Sequence, residues 1–74
     1  MDFLAKVMAI TAEIKAFIAA NPQSIAIAEA VGKCLINSSG WTAIAVCLTQ
    51  VLSGLTPNSE EHLFVGQCID HANK

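Results

Sequence analysis

Three observations on this 74-residue chain predict an all-α fold, a compact bundle of about four short helices. Apolar residues recur at steps of three and four in each long segment, the period of one helix face. Turn-forming residues collect at three breaks, near Pro22, Gly40 and Pro57. Each break carries a residue suited to start a helix. No linker is long enough to divide the chain, so residues 1–74 are expected to form a single helical domain.

In the first segment Phe3, Val7, Ile10, Ile14 and Phe17 share one face, broadened by Leu4, Met8 and Ile18. Asp2, Lys6 and Glu13 mark the opposite side, together with Ala9, Ala16 and Ala20. That alanine-rich back is weakly polar, so another helix could approach it closely. Asn21 then offers a cap and Pro22 a first helical residue, since proline lacks only an N–H that would be unpaired there anyway.

The second helix is expected to run to about Asn37, with Ile27, Val31, Cys34 and Leu35 as its core stripe. Glu29 and Lys33, four apart in the favourable order, mark its wet side. Between them lies an uncharged flank of Ile25, Ala28, Gly32 and Ile36. Gly32 would let a neighbouring helix come close, either within the monomer or from a partner.

Ser38 or Ser39 can cap a third helix starting near Trp41. Trp41, Ile44, Leu48, Val51 and Leu55 form its stripe, while Thr42, Val46, Thr49 and Ser53 occupy the far side. No Asp, Glu, Lys or Arg falls between Lys33 and Glu60. The uncharged helix itself is only about 15 residues, short of the roughly 20 that cross a bilayer, so it is read as a central bundle helix covered on two sides. In the fourth segment Thr56 or Asn58 can cap, and Glu60 and Glu61 suit a helix N-terminus. Phe64, Val65, Cys68, Ile69 and Ala72 are expected to be buried, Leu63 points away, and the final Ala-Asn-Lys should fray.

Composition narrows the function. Hydrophobic residues make up 54% of the chain and charged ones 14%, against about 25% charged in ordinary domains. So small a domain has difficulty hiding that much apolar surface, and self-association is expected to complete the bundle. The net charge is −2, and the cations are four scattered lysines (Lys6, Lys15, Lys33, Lys74) without an arginine. Nucleic acid and anionic lipid both require clustered positive charge, so neither is the expected partner.

Cys34, Cys47 and Cys68 are odd in number and widely spaced, with no C-x-x-C, and the N-terminus lacks a basic leader. Reduced, buried thiols and a cytoplasmic location are therefore expected. Cys68 and His71 lie three apart, but Cys68 falls on the core stripe, so this pair is read as structural. No motif for phosphate binding, acyl transfer or metal hydrolysis is present. No catalytic residue, metal ligand or cofactor is assigned, and the chain is not expected to be an enzyme.

The expected function is a non-catalytic protein-interaction module, an adaptor, inhibitor or accessory protein, acting as a homo-oligomer or by docking on a larger protein. Its candidate contact residues are Ile25, Ala28, Gly32, Ile36, Thr42, Val46, Thr49, Ser53 and Leu63. Two alternatives are a membrane-active, bacteriocin-like or pore-forming protein and a carrier of a small hydrophobic ligand.

Overall fold

The structure, a computed structural model, describes residues 2–73. Four helices follow in order: α1 (Asp2–Ala20), α2 (Ile25–Asn37), α3 (Trp41–Ser53) and α4 (Glu60–Asn73), with a single 3-10 turn, Pro22–Ser24, leading into α2. The all-α bundle read from the sequence is the fold observed. Neighbouring helices in the chain pack on each other, and α4 closes the ring by packing on α1. Short connections force antiparallel neighbours, so the bundle runs up, down, up, down. Two contacts fix the direction of α4. Lys6, near the start of α1, donates to the Ala72 carbonyl at the end of α4 (3.2 Å), and Ser24, just before α2, donates to Glu61 at the start of α4 (2.7 Å). Helix α3 packs against α2 and α4 and so occupies one corner of the bundle, not its centre.

The buried core comprises Ile10 and Phe17 of α1, Ala28, Val31 and Cys34 of α2, Ile44 and Leu48 of α3, and Phe64, Val65, Cys68 and Ala72 of α4. Phe17 and Phe64 stack nearly parallel, their ring centroids 4.2 Å apart, and join α1 to α4. Complete burial of a side chain such as Leu48 contributes about 1.5–3 kcal/mol. The core stripes of α2, α3 and α4 follow the periodicity, except that Ala28 is buried and Ile27, Leu35 and Ile69 are only partly so.

Helix α1 departs from expectation. Ile10 and Phe17 are buried, but Phe3, Leu4 and Met8 remain more than half exposed. The broad apolar arc of α1 exceeds what the inward side of one bundle helix can cover. Lys6 and Glu13, expected on the wet side, instead line the seam with α4. Lys6 reaches Ala72, and Glu13 meets His71 at 3.2 Å. Phe3 tilts against Trp41 (centroids 5.2 Å), and the Lys6 ammonium sits 5.3 Å from the Trp41 ring.

The breaks fall where expected, though the caps differ. Asn21 directs its side-chain amide back to the Phe17 carbonyl at 3.3 Å, closing α1, and makes no side-chain cap onto the turn that follows. Gly40, in extended conformation, stands at the cap of α3, and neither Ser38 nor Ser39 does. At α4 the cap is Ser59, whose hydroxyl accepts the His62 N–H at 3.1 Å. It can do so because residues 56–59 close a tight turn, with the Ser59 N–H donating to Thr56 (3.2 Å) and Asn58 at φ 67°. Proline and then a positive-φ residue suit a type II turn, and asparagine tolerates that conformation. Ala72 and Asn73, expected to fray, belong to α4, and Lys74, the last residue of that expectation, lies outside the described residues.

Candidate interaction faces

Two outer faces of the bundle gather most of the candidate residues. A helix turns about 100° per residue, so known contacts locate the rest of its surface. Cys34 points at α3, because it is disulfide-bonded to Cys47 there. Ile25, Gly32 and Ile36 lie about 160–180° round α2 from Cys34 and hence on the flank away from α3. On α1, Lys6 and Glu13 face α4, and Leu4 and Met8 lie about 140–180° from them. These two flanks border the α1–α2 seam and make one outer face. Leu4 is 65% exposed, Met8 63%, Ile25 50% and Ile36 81%.

Ala28 does not belong to this face. It is 2% exposed and part of the core. Its direction is only about 60° from the fully buried Val31, against about 120–140° for Ile25 and Ile36, so the flank curves inward there. Gly32 is different again. A Cβ added at Gly32 would meet nothing within 4 Å, so no neighbour inside the monomer needs the glycine. Glu29 and Lys33 are both exposed, as expected, but do not pair.

The second face lies over α3 and α4. Thr42, Val46 and Thr49 line a groove of about 350 Å3 with Ala45, Gln50 and Asn73, and Val46 is 54% exposed. Thr49 donates its hydroxyl to the Ala45 carbonyl and Ser53 donates to Gln50, each at 2.8 Å. With those donors satisfied inside the helix, the face is less polar than its residue names suggest. Leu63, 54% exposed, stands apart from both faces. It borders a groove of about 240 Å3 between α1 and α4, floored by Ala16, Ala20 and the Phe17–Phe64 stack and edged by Glu13 and Glu60.

The cysteines overturn one expectation. Cys34 and Cys47 form a disulfide between α2 and α3, with Cα atoms 5.7 Å apart. The sequence did carry a signal for this pairing. Cys34 stands six residues before Gly40 and Cys47 six after Trp41, which places them level across the turn of an antiparallel hairpin. Cys68 stays a free thiol, fully buried, and loss of hydration together with the nearby Glu13 carboxylate pushes its pKa up to about 12. Such a thiol has almost no nucleophilic thiolate near neutral pH. His71 contacts Glu13. Among the described residues no group of three or more His, Cys, Asp or Glu side chains is placed to hold a metal ion.

Sequence reasoning missed two further polar features. Ser24 is buried and bonds Glu61, whose carboxyl is held below its ordinary range, first by that hydrogen bond and then by its own backbone N–H. The Trp41 indole N–H is buried without a partner. Both depend on how the helices pack, which is beyond the reach of local pattern. No helix is long and apolar enough to cross a membrane among the described residues. Comparison with protein-family models, with curated proteins and with solved structures found no match to this chain.

Proposed function

We propose that this chain is a non-catalytic helical interaction module that works by associating with a second protein surface, in the first place its own. The observation that carries the reading is the disposition of large apolar side chains. Leu4, Met8, Ile25, Ile36, Val46 and Leu63 are each at least half exposed on a bundle whose core is already closed. Large apolar side chains exposed in this way mark contact sites, and interface centres are depleted in charge as these faces are. The Cys34–Cys47 disulfide supports an oxidising compartment in place of the cytoplasm, because reducing compartments do not preserve structural disulfides.

Light scattering over a concentration series tests the proposal. A mass that rises from one chain towards two or more between low and high micromolar concentration is the expected result. A constant single-chain mass to high micromolar concentration would end the self-association reading.

A further inference from the structure

We infer that the α1–α2 face is the contact, and that it pairs with itself in a two-fold dimer in which α1 of one copy lies over α2 of the other. This rests on the self-association proposed above and specifies its surface. Of the seven large apolar side chains exposed among the described residues, four (Leu4, Met8, Ile25 and Ile36) lie on this face, whereas the α3–α4 face offers Val46.

Gly32 leaves room for such a crossing on this face, although Gly66 of α4 has equally open surroundings. Glycine in a helix interior is unfavourable, and here nothing within the monomer requires it, since a Cβ would meet open space. A helix of a second copy crossing at Gly32 gives the absent side chain a physical role, because small residues let helix backbones approach.

Charge identifies the occupant as a second copy. The face carries one cation on α1, Lys15, and one anion on α2, Glu29, both exposed and neither in an ion pair among the described residues. Lys33 borders the face about 40° further round α2, towards α3. A two-fold axis parallel to the helices places α1 over the other copy's α2, so Lys15 of each chain meets Glu29 of the other. The surface is therefore complementary to itself, as an isologous interface must be.

The test is light-scattering mass and sedimentation of the oxidised protein and its variants, with circular dichroism to confirm unchanged helicity. Gly32→Leu should weaken the dimer more than tenfold, because the new side chain occupies the contact. Lys15→Glu should weaken it about three- to tenfold, since two symmetric exposed pairs turn repulsive. The double variant Lys15→Glu/Glu29→Lys should recover the original dissociation constant, a rescue that a merely structural role would not produce. Val46→Glu should leave it unchanged. Dissociation by Val46→Glu with Gly32→Leu and Lys15→Glu silent would overturn this face and leave self-association standing. A chain that is monomeric throughout would overturn both.

Discussion

Gly66 stands in the middle of α4, where a Cβ would meet no atom within 4 Å. Helix interiors disfavour glycine by about 1 kcal/mol relative to alanine, so Gly66→Ala should stabilise the fold by about that amount. For a domain of this size the melting temperature should rise about 4–8 °C, read by thermal circular dichroism. Cys68 makes a different kind of prediction. Its folded pKa of about 12 lies above the roughly 8.5 of an unfolded thiol, so the unfolded chain loses the proton first as pH rises. Its contribution to stability is complete below about pH 8.5 and declines from there towards pH 12. Denaturant titrations at pH 7 and pH 10 should show a smaller alkaline loss in Cys68→Val than in the natural chain. An equal loss in both would place the alkaline sensitivity in other groups.

At the scale of elements, the α2–α3 hairpin is cross-linked by Cys34 and Cys47, separated by 13 residues. Closing a loop of that length removes unfolded-state freedom worth about 3 kcal/mol. Cys34→Ala/Cys47→Ala, or reduction, should therefore lower the melting temperature by upwards of about 10 °C. Thiol titration of the denatured protein should find Cys68 alone before reduction and all three cysteines after it. The Ser24–Glu61 bond ties the entry of α2 to the start of α4. Because the folded Glu61 pKa is lowered, the stability it contributes is present above the unfolded glutamate value of about 4.3 and is lost as pH falls through the folded value. Ser24→Ala should flatten that acid loss in denaturation curves taken at successive pH values. Helix spans and core stripes were legible because they depend on local period and breaks. Glu61 was legible only as a favourable charge at a helix start, since Ser24 lies 37 residues away and only the packed bundle brings them together. Ala28 was misplaced because a stripe on a helical projection does not reveal how far the neighbouring helix wraps around it.

For the molecule as a whole, the surface area decides where the apolar excess goes. A monomer of 7.8 kDa ordinarily exposes about 4,400 Å2, and this chain exposes 4502 Å2. Folding has thus hidden about as much surface as is usual for its size, while 54% of its residues are hydrophobic. The excess remains outside as Leu4, Met8, Ile25, Ile36, Val46 and Leu63, and no rearrangement of so small a core could take all of it in. Association removes that surface from water only in the folded state, because the faces exist only once the helices are packed. Mass action then couples assembly to stability. The melting temperature of the oxidised protein should accordingly rise with protein concentration, measured by thermal circular dichroism across a hundredfold dilution series. Gly32→Leu should abolish that dependence while keeping the melting point of the dilute natural chain or exceeding it, since a Cβ there meets nothing within 4 Å inside the monomer and leucine favours helix over glycine. A melting temperature independent of concentration in the natural chain would assign the exposed faces to a different protein, whose addition should then produce the same rise.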